Sequence, residues 1–247
     1  MGRLSIVVVT DPEELACVGA DLVAEEIAAN PTSRIVVPTG RTPLGLYREL
    51  GRRREGGAFD MSEATVFQLD EYLGIGPEDR RTLFGWMDRS FLSPLGIPDA
   101  HVVRLPTGGD LERACAAYDR EVAGNGGYDL AILGLGANGH LGFNEPPVDR
   151  AAPTREVVLS AESIASNGNY WGVADDVPPR AVTIGMGPLL AARRILLVVS
   201  GTGKHAIVHR AVHGPVSPAV PASYLQDADD VTVLTDRSAW RDPEAAA

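Results

Sequence analysis

Cysteine is nearly absent from this chain of 247 residues, which carries only Cys17 and Cys115. The two fall in helix-patterned stretches far apart in sequence, so no disulfide framework holds the fold. One bridge stays open, and two reduced thiols are the simpler reading. No cluster of cysteine and histidine has zinc-ligand spacing, so no metal is expected. Long apolar runs are missing too: nothing approaches the roughly 20 residues needed to cross a bilayer. The opening MGRLSIVVVTDPEE has a short apolar run met at once by acids. That fits a first strand and lacks the core and cleavage site of a signal peptide, so a cytoplasmic location is expected. Positive charge is in deficit, with 22 Lys and Arg against 33 Asp and Glu and a net charge of -11. A broad basic surface for nucleic acid is thereby excluded. A small anion is not, because a few amides and cations can converge locally on an acidic protein.

What is present is an ordinary globular balance, 45% hydrophobic and 22% charged, with length enough for a large core in one domain over residues 1–247. Apolar runs of strand length are expected at residues 5–9, 34–37, 65–69, 128–135, 156–159, 194–199 and 231–235. Helical periodicity fills 12–30, 43–54, 81–91, 110–123 and 203–212 between them. In the second of these, Thr42 would be the N-cap and Pro43 the first helical residue. The alternation predicts an α/β fold with a mainly parallel sheet, and ligands in such sheets bind beyond the carboxyl ends of the strands. The final DPEAAA is expected to fray.

Four segments at strand ends carry the chemistry. In Val37-Pro38-Thr39-Gly40-Arg41-Thr42-Pro43, a glycine turn leads into a helix start, so free amides, two hydroxyls and a guanidinium could hold an anion. An ordinary strand-to-helix turn has the same composition. Asp70-Glu71 could supply a base shielded from water, or could be a solvated turn with Tyr72 half-buried. In Gly134-Leu135-Gly136-Ala137-Asn138-Gly139-His140, the glycines spell the dinucleotide fingerprint. They lead into Gly142, Phe143, Asn144, Glu145 and Pro146 rather than a helix, so that reading is rejected. One imidazole, one carboxylate and two amides within eight residues suit acid/base work instead. Finally, Ser200-Gly201-Thr202-Gly203-Lys204 resembles half a P-loop, but Val198 stands where its first glycine belongs. Lys204 beside a helix start remains a good anion contact. Among the other histidines, His101 is read as starting a strand. His205, His209 and His213 share one helix at four-residue spacing, where a partly buried face is favoured over a metal site.

Together PTGRTPLGLYREL, LDEYLGI, DLAILGLGANGHLGFNEP, AVTIGMGPLL and SGTGKHAIVHRAVHG resemble the glucosamine-6-phosphate deaminase family. GHLGFNEP is the most specific piece, since the related 6-phosphogluconolactonases continue differently after Gly-His. The resemblance implies a Rossmann-like three-layer α/β/α sandwich with no redox or metal cofactor, acting on a small sugar phosphate. It also implies roles. Asp70 would move a proton from C2 to C1 of the opened amino sugar, His140 would assist ring opening, and Glu145 and Asn138 would orient that histidine. Thr39, Gly40, Arg41, Thr42 and Lys204 would hold the 6-phosphate. Asn138 stands where many members carry Asp. A phosphate-clamping arginine of the family aligns near Asn169, with Arg41 as candidate replacement. Arg155 falls at an allosteric position whose basic companion is here Val157, so activation by an acetylated sugar phosphate is not expected. A galactosamine-type epimer, lactone hydrolysis and a catalytically silent sugar-phosphate sensor are the competing readings, and homo-oligomeric assembly stays open.

Overall fold

The computed structural model describes residues 3–171 and 176–240, without the side chains of 169 and 170. The chain opens with β1 (Arg3–Val9), α1 (Pro12–Ala29), β2 (Arg34–Val37), α2 (Leu44–Glu55), β3 (Thr65–Gln68) and β4 (Asp70–Tyr72). A broken helix follows: α3 (Leu83–Met87) passes through a π turn into α4 (Ser93–Leu95). Then come β5 (Val102–Val103), α5 (Leu111–Gly124), β6 (Leu130–Gly134), β7 (Arg155–Val158) and α6 (Ala161–Trp171). The last described elements are β8 (Arg180–Thr183), α7 (Met186–Leu190), β9 (Arg194–Val199), α8 (His205–His213) and β10 (Asp230–Asp236).

Seven strands form one sheet in the order β1-β10-β9-β6-β2-β3-β5, every neighbouring pair parallel. Alternate residues of the central strands face opposite sides. Val36, Ala131, Leu133, Ile195 and Leu197 join the core cluster containing Cys115, Tyr118, Val208 and Ala211. Ile35, Val37, Leu130, Ile132, Leu196 and Val198 join the cluster containing Val23, Leu46, Tyr47 and Phe91. The sheet is thus covered on both faces, by α5, α7 and α8 on one and α1, α2 and the broken helix on the other. That is the expected three-layer sandwich. From β2 the chain steps outward through β3 to β5, then returns to β6 on the other side of β2 and steps the opposite way. The reversal between β2 and β6 is where such sheets open a crevice for ligand.

A second, antiparallel sheet of order β4-β8-β7 stands beside it and buries Tyr72, Phe143, Leu159, Trp171, Val177 and Ala181. Its first strand overturns the solvated-turn reading of Asp70–Tyr72: all three residues are buried, and Asp70 pairs with Thr183 across the ladder. Three further corrections are local. Helix α2 starts one residue late, and Pro43 rather than Thr42 sits at its cap with no side-chain hydrogen bond. The predicted helix over 81–91 begins at Leu83 behind Thr82, whose Oγ accepts from the Gly85 amide at 3.0 Å. His101 ends a single 3-10 turn before β5 instead of starting the strand. Both thiols are free, Cys115 buried and Cys17 half-buried. No helix among the described residues is long and apolar enough to cross a membrane. The DPEAAA segment lies outside the described residues.

Candidate active site

Beyond the carboxyl ends of β2, β6 and β9, a cavity of about 380 Å³ opens at the reversal point. Its walls include Thr39–Thr42, Asp70, His140 and Lys204, brought together from four distant segments. Asn138 and Glu145 do not line it.

Asp70 is 5% exposed, and its Oδ1 has no hydrogen-bond partner. Burial, with the neighbouring Glu71 charge adding to it, raises its carboxyl from an ordinary 3.8 to about 7. A carboxylate of that pKa is suited to take up and return a proton near neutral pH. Glu71 has a different task. Its carboxylate accepts from the amides of Tyr72 (2.8 Å), Leu83 (2.9 Å) and Phe84 (2.8 Å) and from Gln68 Nε2 (2.7 Å). It therefore ties the exposed first amides of α3 to the strand carrying Asp70. Adjacent acids in sequence become one cavity-lining carboxyl and one structural staple.

After β6 the glycine-rich segment stays irregular until β7, so no helix follows the fingerprint glycines. The His140 imidazole lies against Gly136: a Cβ there would come within 2.2 Å of the ring. Only glycine leaves room for it. Burial, reinforced by Lys204 and opposed by Glu145, lowers His140 from 6.5 to about 4. The ring is then neutral at physiological pH, with a buried Nδ1 lacking a partner in the structure. Asn138 Oδ1 accepts from the backbone amide of His140 at 3.2 Å, so it shapes the turn and leaves the ring untouched. Glu145 Oε2 accepts from the Ser160 amide at 3.1 Å. Asn144 is fully buried; it donates to the carbonyls of Leu141 (3.0 Å) and Ile184 (2.8 Å) and accepts from Arg155 Nη1 (2.9 Å). The loop is pinned by Asn144, and Arg155 spends its charge there.

In the turn after β2, Gly40 adopts φ 106°, a left-handed conformation that other residues resist. Helix α2 begins without a side-chain cap, and the Leu44 amide at its start donates back to the Arg41 carbonyl at 3.2 Å. Lys204 Nζ donates to the Leu135 carbonyl at 2.6 Å, and burial lowers its pKa while Glu162 opposes that shift. The turn before Lys204 is anchored by Asp236, which accepts from the hydroxyls of Ser200 and Ser238 and the amides of Gly201 and Ala239. Arg41 lines the cavity as expected, but so do Arg80, Arg81 and Arg89, with Trp86 between them. Sequence reasoning missed these three, which carry no local signal. The Asn169 side chain lies outside the described residues. On α8, the rings of His205 and His209 meet edge-on and those of His209 and His213 lie tilted, while His209 stacks on Trp240 with centroids 4.2 Å apart. Among the described residues no three metal-binding side chains converge.

The family model described as glucosamine-6-phosphate isomerases/6-phosphogluconolactonase matches residues 10–234. The chain belongs to this family. Within it, the chain is 40% identical over 228 residues to a glucosamine-6-phosphate deaminase of Halothermothrix orenii, covering 92% of this chain and 94% of that one. A glucosamine-6-phosphate deaminase of Rhodopirellula baltica is 38% identical over 244 residues, covering 97% of each. Among solved structures, a monomeric glucosamine-6-phosphate deaminase superposes with a TM-score of 0.91 at 33% identity, covering 95% of this chain and 98% of that one. The 6-phosphogluconolactonase of Trypanosoma brucei gives 0.75 at 20% identity over the whole of both chains, a likeness of fold alone.

Proposed function

We propose that this chain is a cytoplasmic glucosamine-6-phosphate deaminase acting as one domain, converting glucosamine-6-phosphate and water into fructose-6-phosphate and ammonia. The observation that carries this is the convergence of Asp70, His140, the Thr39–Thr42 turn and Lys204 on one cavity. Sugar-phosphate isomerisation needs an anion anchor at one end and a base poised over an acidified C–H at the other, with no electron carrier. The phosphate rests on the turn and Lys204. Neutral His140 relays the proton of the ring oxygen as the sugar opens. Ionised Asp70 then takes the C2 proton and returns it to C1. The double bond moves to C2–N, water adds at C2, and the C2–N bond breaks to release ammonia. Glu145 and Asn138 act indirectly, Glu145 through its charge on the imidazole and Asn138 through the backbone of His140.

Lactone hydrolysis is the alternative on the same fold. Tyr72 and Phe143, which follow the catalytic acid and the histidine in the deaminase-like sequence, both wall the cavity and pack with ring centroids 5.7 Å apart. The relatives named as deaminases are also closer in sequence than the lactonase structure. The test is a side-by-side assay of glucosamine-6-phosphate, galactosamine-6-phosphate and 6-phosphogluconolactone. Turnover of the first at least a hundredfold above the others supports the proposal, and preferential lactone hydrolysis would overturn it.

A further inference from the structure

The chain carries a net charge of -11, yet Arg41, Arg80, Arg81, Arg89 and Lys204 line the cavity against only Asp70 and Glu162. Three of these arginines sit on one rim, and their contacts divide the labour between them. Arg81 donates to Asp79 through Nε (3.0 Å) and Nη2 (2.7 Å) and lies 4.3 Å over the Trp171 ring. Its charge is neutralised and its plane is used to tie the rim to α6. Arg89 reaches back through Nη2 to the Arg80 carbonyl at 2.7 Å, which fixes the backbone of its neighbour. For the Arg80 guanidinium, no carboxylate or hydrogen-bond acceptor is found among the described residues, although it lines the cavity. Two arginines build the rim and the third is left to face a ligand.

The rim also belongs to the anion end. Trp86, between Arg80 and Arg89, packs edge-on against Tyr47 at 6.3 Å between ring centroids. The Tyr47 hydroxyl donates to the Pro38 carbonyl at 2.7 Å, in the turn that opens the Thr39–Thr42 segment. The rim helix is thereby packed against the helix that follows the Thr39–Thr42 turn.

We propose that Arg80 is a specificity-determining cation, closing on the substrate's phosphate opposite Lys204 and separating phosphorylated from unphosphorylated amino sugars. The proposal rests on the sugar-phosphate reading above. A guanidinium suits the role because its fork pairs two phosphate oxygens at once. Its exposure makes the contact sensitive to salt.

The test is calorimetric binding of inorganic phosphate and of glucosamine-6-phosphate to wild type, Arg80→Ala and Arg80→Lys, at low and high ionic strength, with kcat and KM measured in parallel. Arg80→Ala is expected to weaken both ligands about tenfold and raise KM by a similar factor with kcat within twofold. Arg80→Lys recovers part of the loss, and added salt narrows the gap between wild type and Arg80→Ala. Affinities within twofold of wild type in Arg80→Ala would overturn the proposal, as would a wild type that binds no phosphate. A wild type that binds the sugar phosphate but releases no ammonia would sink the deaminase reading alone and leave the Arg80 comparison intact.

Discussion

Replacing Asp70 by Asn should stabilise the protein above neutral pH while removing its activity. Asp70 is buried beside Glu71, and its carboxyl titrates near 7 in the fold against 3.8 when exposed. Because the folded value is the higher one, the folded state holds the proton more tightly. The associated stability is complete below about pH 4 and is lost as pH rises through 7. At about 1.4 kcal/mol for each pH unit, the whole difference comes to about 4 kcal/mol. An amide of nearly the same shape has no charge to desolvate, and an unpartnered polar atom is present in either case. Urea unfolding of wild type and Asp70→Asn at intervals from pH 4.5 to 8.5 measures the gap. The variant should gain on wild type by about 1 kcal/mol per pH unit between pH 5 and 7, then run parallel above 7.5. Two parallel curves across the whole range would refute the claim that burial raises this carboxyl.

Three other outcomes follow from the same geometry. The kcat/KM of wild type should fall about tenfold per pH unit below about pH 7, because the proposed base must be ionised, and should stay level above it; a limb near pH 4 instead would show that the base is not a carboxyl raised by burial. Gly136→Ala places a methyl within 2.2 Å of the His140 ring, so kcat should drop at least a hundredfold while circular dichroism changes little and urea unfolding reports the loss of about 1–3 kcal/mol usual for overpacking. Full activity would show that the ring position is immaterial. Glu71→Ala strips the acceptor from three amides and Gln68. Urea unfolding should report a loss of about 3 kcal/mol or more, given 1–3 kcal/mol for each buried donor left unpaired.

The elements legible in sequence were those with a long apolar signal. The strands over 34–37 and 194–199 lie where the apolar runs place them, and helix α1 starts at Pro12 behind Asp11, whose carboxylate caps its first amides. The second sheet was not legible. Asp70-Glu71-Tyr72 has two charges in three residues, and its strand exists because β8 pairs with it; tertiary pairing overrides local propensity there. Helix α6 reads through Ser166-Asn167-Gly168-Asn169, residues that favour turns, and its Glu162, Ser163 and Trp171 reach the cavity from a segment with no sequence signal. In the site, the four segments with turn chemistry after apolar strands were found because strand ends in parallel sheets converge. Arg80, Arg81 and Arg89 were missed because nothing local distinguishes a rim arginine from a solvated one. The division of Asp70 and Glu71 into cavity-lining acid and staple depends on amides 12 and 13 residues downstream of Glu71, beyond the reach of spacing arguments.

The central claim is that Asp70 and His140 deaminate an amino-sugar phosphate anchored at the Thr39–Thr42 turn. Its most direct test is incubation of the purified protein with glucosamine-6-phosphate, without added metal or nucleotide, counting ammonia and fructose-6-phosphate together. Asp70→Asn, checked by circular dichroism, serves as control. Equal amounts of the two products from wild type, with neither from the control, is the expected result. A wild type that forms neither product, or a control that forms both at the wild-type rate, would contradict the account.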